Sequence, residues 1–145
     1  MAFIHVSGPA KTEGFKKTAS VAIAAGSALA FAVGYVRQAS EVSVRIAGIS
    51  VRKITSSSDD YADNSVIPVI VPSEDDVFEA DVVTGTATQA NVGIQYDLGT
   101  NTDGTAQGIT LSGTTYRVVT VVGFINSTTV LVKFNSNYAF ANKAN

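Results

Sequence analysis

The chain has 145 residues, no cysteine, one histidine and a formal net charge of −2. Its length fits one domain that buries roughly 70% of its unfolded surface without disulfide staples. The missing cysteines exclude disulfides, thiolate metal sites and cysteine nucleophiles, and the acidic balance with only 15% charged residues argues against nucleic acid or an anionic membrane surface as the main partner.

Residues 1–14 have no period, carry Gly8-Pro9 and mixed charges, and read as an extended N-terminal arm. Phe3, Ile4 and Val6 form an apolar triplet that something must bury. It can lie along the protein's own barrel, or on another subunit as an added strand. These three are the candidate partner-binding residues; a disordered terminus is the plain alternative. His5 has no second His or Cys with which to share a site, so a solvated or contact histidine is expected.

Residues 18–36 are uncharged and flanked by Lys16-Lys17 and Arg37, a pattern open to a signal peptide or a marginal membrane span. The bulky side chains decide against both. Val21, Ile23, Leu29, Phe31, Val33 and Tyr35 are all odd-numbered, with mostly Ala, Gly or Ser between them. That is the strand period, and on a helix these six would scatter around the axis. A three-residue loop at Ala25-Gly26-Ser27 would pair Ile23 with Leu29 and Val21 with Phe31, so a hairpin is predicted there.

Residues 41–55 read as a strand with a slip. Val42, Val44 and Ile46 are even and Ile49 and Val51 odd, so the phase change at Ala47-Gly48 predicts a bulge. Arg45 and Arg52 then point to solvent or a partner. Asp59, Asp60 and Asp63 lack the spacing of a calcium loop and read as a solvated acidic turn. Residues 66–72, VIPVIVP, are apolar but contain Pro68, which predicts an edge strand or crossover. Residues 73–76 form an acidic loop expected to stay wet. Residues 77–83 alternate, with Phe78, Ala80 and Val82 in and Glu79 and Asp81 out. A polar connection follows, then an alternating strand over 92–98 on Val92, Ile94, Tyr96 and Leu98. Residues 99–108 read as the most flexible loop and 109–111 as a short strand.

The strongest strand signal is 116–134, two β-branched runs around Asn126-Ser127, which read as a hairpin. Pairing Val118 with Phe134, Thr120 with Val132 and Val122 with Val130 puts the bulky groups on one face. Val119, Val121 and Leu131 make the other face apolar too, which predicts cover on both sides. Residues 135–145 are polar.

No helix of ordinary length fits. Short strands about every ten residues, separated by Gly, Asn, Asp and Ser, indicate an all-β protein, a small β-barrel or sandwich with long polar loops. The expected organisation is the arm over 1–14, a barrel or sandwich domain over 15–136 and a polar tail over 137–145.

A search for chemistry finds little. One histidine leaves no Ser-His-Asp set, and there is no P-loop, no GxGxxG after a strand and no zinc spacing. Asp59/Asp60 and Glu74/Asp75/Asp76 are adjacent acids in polar loops, where nothing splits their pKa values. No catalytic, cofactor-binding or metal-binding residue is predicted, and an enzyme is not expected. Basic residues are spread out without interleaved aromatics, so no nucleic-acid site is expected. Polar loops could hold glycans, but stacking aromatics are scarce, with no Trp.

The order of segments resembles the small head-decoration, or capsid cement, proteins of tailed bacteriophages and related prophage proteins. The residues that carry the resemblance are KKTASVAIAAGSALAFAVGYVRQAS, VRIAGISVRKIT, SDDYADNSVIPVIVP, VFEADVVTGTATQANVGIQYDL and the closing VLVKFN, together spanning about 14–135. The arm lies outside it. The resemblance implies a β-rich virion protein on the outer face of a phage head, often trimeric, that stabilises contacts between capsid subunits after expansion. It implies the major capsid protein and further copies of the chain as partners, and brings no catalytic residue and no cofactor. The alternatives are a glycan- or cell-surface-binding β module on a virion, and an exported protein from which roughly thirty N-terminal residues are removed.

Overall fold

A computed structural model describes residues 2–40, 46–100 and 107–135. The described residues are all-β: β1 (Phe3–Ser7), β2 (Thr12–Lys16), β3 (Ala28–Ala32), β4 (Tyr35–Gln38), β5 (Ile46–Ser50), β6 (Val66–Ile70), β7 (Val77–Thr84), β8 (Gln95–Thr100), β9 (Gln107–Thr110), β10 (Val119–Asn126) and β11 (Thr129–Phe134). One short 3-10 turn, Gln89–Asn91, interrupts the polar connection before β8.

The strands form two sheets. The first runs β1-β7-β11-β10-β8-β9, and β9 also pairs with β7 in parallel, which closes five of the six strands into a barrel. The eight-residue β7 shares one edge between two partners. Its first half pairs with β1, and Val82 and Thr84 pair with Ile109 and Thr110 of β9. The second sheet runs β2-β6-β5-β3-β4. Its strands alternate between two cores. Ala28, Ala30, Ile46 and Ile49 pack with Phe78, Leu98, Val121 and Phe134 of the barrel. Leu29, Ala47, Ile67 and Val69 face a second core with Ile23, Val36 and Ile54. The inner strands β3 and β5 thus contribute to a core on each face.

The stretch read as an extended arm lies along the protein itself, as two strands in two sheets: β1 on β7 and β2 on β6. Of the odd-numbered residues of 18–36, Leu29, Phe31 and Tyr35 lie in strands and Ile23 in an isolated bridge, while Val21 is outside any strand and Val33 is in a turn. No helix among the described residues is long and apolar enough to cross a membrane. The hairpin sits elsewhere than predicted. β3 pairs with β4 around Val33-Gly34, both with positive φ, while Ile23 pairs across an isolated bridge with Ile54. Ala25-Gly26 does turn the chain, but into β3 instead of back onto residue 29.

The predicted slip at Ala47-Gly48 is present. Leu29 pairs with Gly48 and Ala30 with Ile46, so Ala47 is the extra residue of a bulge. Gly48 has φ +152°, and a Cβ there would meet the Ile70 carbonyl at 2.1 Å. Val42, Val44 and Arg45 lie outside the described residues.

Two strand expectations need correction. β6 is an inner strand, between β2 and β5, despite Pro68. The Pro68 carbonyl accepts the Val51 N–H at 3.3 Å, just past the end of β5. The ring nitrogen faces that same side, where no ladder bond is required of it. In the β10–β11 hairpin the register is Val119 with Phe134, Thr120 with Lys133 and Val121 with Val132, one residue from the predicted pairing. Two irregularities in β10 shift it further. Val119 and Val121 therefore face the core, while Val122, Phe124 and Ile125 are exposed, so the outer side of the hairpin is not covered. The loop expected over 99–108 is shorter, since Gly99 and Thr100 belong to β8 and Gln107 and Gly108 to β9.

Candidate partner-binding surface

β1 is the edge strand of the first sheet. Alternation along it separates the three candidate residues. Phe3 points inward, 1% exposed, with its ring 5.2 Å from that of Phe134. Its backbone N–H donates to the Gly26 carbonyl at 2.8 Å. Phe3 is therefore a core residue of its own chain. Ile4 and Val6 remain 44% and 50% exposed. The register shifts between His5 and Ser7, which leaves Val6 at an irregularity of the edge.

His5 holds this strand in place. Its ring lies edge-on to Phe78, 5.4 Å between centroids, and Nε2 is 2.9 Å from Asp76 Oδ1. Asp76 Oδ1 also accepts the Ala10 N–H at 2.9 Å, and Oδ2 accepts the Ser73 N–H at 2.8 Å and its hydroxyl at 3.0 Å. Burial by itself would raise the Asp76 pKa. The Ser73 and Ala10 N–H groups, then His5 and the Ser73 hydroxyl, outweigh burial and hold it below the usual carboxylate value. The loop over 73–76 is thus wet only at Glu74 and Asp75, and its third acid is a buried anchor. Gly8 packs directly on it: a Cβ at Gly8, whose φ is +108°, would meet Asp76 Oδ1 at 2.5 Å.

The register carries the outer face across the sheet. Ile4 stands opposite Glu79, Glu79 opposite Leu131, and Leu131 opposite Gly123. Exposed Ile94, Val122, Phe124 and Ile125 add apolar groups beyond that row, and Asp81 and Lys133 add charge. A mixed apolar and charged wall of this kind suits contact with another macromolecule.

No group of three His, Cys, Asp or Glu side chains that could hold a metal exists among the described residues. Of the acidic turn, Asp60 forms a bidentate pair with Arg52, at 2.6 and 2.7 Å. That pair, helped by the Ser65 hydroxyl, lowers the Asp60 carboxyl to about 2. Sequence reasoning missed three buried polar residues. Lys17 is fully buried, and its ammonium donates to the carbonyls of Tyr61 and Asp63. Asp97 accepts the N–H groups of Thr115, Tyr116 and Arg117. Gln107 joins the barrel to β3 and to the end of β4. All three read as surface residues in a one-dimensional pattern, because their partners are backbone groups distant in the chain.

No protein-family model matches this chain, and no curated protein is significantly similar to it.

Proposed function

We propose that the protein is a structural subunit that binds the outside of a tailed-phage capsid and stabilises contacts between capsid subunits. The observation that carries this reading is the edge strand β1, anchored from within by Phe3 and His5 and presenting exposed Ile4 and Val6 beside the mixed outer wall. Beyond Phe3, whose N–H is taken by Gly26, the edge carries apolar side chains and can serve as a template for another chain. The resemblance of segment order over about 14–135 supplies the kind of partner: the major capsid protein, with further copies of this chain beside it.

Such a subunit acts by mass action. Binding only the assembled shell stabilises that shell by an amount set by free concentration relative to Kd. Repetition over a symmetric surface lets many modest interfaces add. The test is co-sedimentation of purified protein with expanded heads. Saturable binding that weakens in I4E/V6E supports the reading. No association with heads, together with no self-association at micromolar concentration, overturns it.

A further inference from the structure

We propose that a cleft beside β4 binds an extended acidic peptide segment of the surface on which the protein docks. The proposal rests on the decoration reading for the identity of that surface, and on the cleft alone for its chemistry. The cleft has a volume of about 470 Å³ and lies between residues 21–24 and 53–55, next to Arg37 and Gln38. That is within the range of ligand-binding clefts, roughly 300–1,000 Å³.

Its base is apolar. Ile23 and Ile54 are buried, and their backbones exchange two bonds: Ile23 N–H to the Ile54 carbonyl at 3.0 Å and Ile54 N–H to the Ile23 carbonyl at 2.7 Å. The residues that line it otherwise offer donors. Arg37 and Lys53 are exposed and have no ion pair among the described residues. The Gln38 Oε1 already accepts the Ala24 N–H at 3.2 Å, and the Thr55 hydroxyl oxygen accepts the Ser57 N–H at 3.3 Å. What remains for a ligand is two cations, an amide NH2 and a hydroxyl proton, and no carboxylate lines the cleft. Such a lining selects an acceptor-rich anion.

The backbone points to a peptide. The Ile23–Ile54 pairing is an isolated bridge, not part of a ladder. Val21, Ala22 and Lys53, which flank it in the cleft, have no backbone hydrogen bond among the described residues. The main-chain groups of Ala22, on the side that faces Gln38, can pair with an extended segment while its Asp or Glu side chains meet Arg37 and Lys53.

The experiment is fluorescence anisotropy on the full chain with a labelled, end-capped peptide alternating Glu and Val. Its Lys/Val and Gln/Val counterparts serve as charge controls, and glucuronate and sulfate as free-anion probes. The acidic peptide should bind saturably, with an affinity that falls as salt rises. Binding should weaken about tenfold or more in R37Q/K53Q and recover in R37K/K53R. Both residues are exposed, so R37Q/K53Q should melt with the wild type. Equal affinity in R37Q/K53Q, or for the Gln/Val peptide, overturns the proposal. Competition by glucuronate or sulfate at the peptide's own concentration also overturns it, in favour of a small-anion site. If the wild type binds heads while R37Q/K53Q keeps full peptide affinity, the cleft fails and decoration stands. If the wild type ignores heads but binds the acidic peptide in the expected way, decoration fails and the cleft stands.

Discussion

The side chain of Gln107 pairs with the backbone of Ala28 as a neighbouring strand residue would: Oε1 accepts the Ala28 N–H at 2.6 Å, and Nε2 donates to the Ala28 carbonyl at 3.0 Å. The same Nε2 donates to the Ala39 carbonyl at 2.8 Å. One buried amide at the start of β9 thus satisfies three backbone groups of the second sheet. Q107A strands all three without water, at about 1–3 kcal/mol each in isolation, so a loss of about 4 kcal/mol is expected. Q107E keeps the acceptor but buries a carboxylate whose second oxygen faces the Ala28 and Ala39 carbonyls, and should cost at least as much as Q107A. Urea denaturation measures both variants, and a loss below about 1 kcal/mol in Q107A would mean the clip is unimportant.

The arm is divided inside from outside by a single strand period. F3A opens a cavity beside Phe134 and Phe78 and should cost about 3–5 kcal/mol. I4E/V6E changes only half-exposed positions and should shift stability by about 0.5 kcal/mol or less. Thermal melts separate the two. A large loss in I4E/V6E would show these side chains to be structural.

Val33 turns the β3–β4 hairpin at φ +53° with its side chain 97% exposed. A β-branched residue in that conformation is strained by about 1–2 kcal/mol and gains nothing from packing. V33N supplies the Asn-Gly pair that this turn prefers. It should raise stability by about 1 kcal/mol, seen as a higher Tm.

Asp76 links stability to acid. Its folded pKa lies below the unfolded value of about 3.9. Its contribution is therefore complete above about pH 4 and is lost as pH falls through the lower folded value. Asp60, lowered to about 2 by Arg52 and Ser65, acts with the same sign. D76N aims an amide NH2 at donors that now meet a carboxylate oxygen, so it should be less stable at pH 7. Its stability should also vary less with pH below 4 than that of the wild type. Melts from pH 2 to 7 check this, and parallel curves for the two proteins would refute it.

The all-β class was legible because alternation survives tertiary context: Phe78 and Ala80 point in from β7, and Tyr96 and Leu98 from β8, as their spacing requires. The bulge at Ala47-Gly48 was legible for the same reason, since a phase change has no other cheap cause in a strand. Turn position was not. Ala25-Gly26-Ser27 has better turn residues than Val33-Gly34, yet the latter makes the hairpin, because packing of Leu29 and Phe31 into the second core outweighs local preference. The register of the β10–β11 hairpin slipped by one because the loop is Ser127-Thr128 and bulges add residues to one strand. Ile4 and Val6 could be singled out as apolar, but not separated from Phe3. That needs the pairing of β1 with β7, more than seventy residues later in the chain.

Image reconstruction of expanded heads saturated with the protein, compared with bare heads, tests decoration most directly. The account predicts added density of the size of this barrel and its second sheet at symmetry-related positions on the outer surface, with β1 against the capsid protein or a neighbouring copy. Identical maps with and without the protein would contradict it.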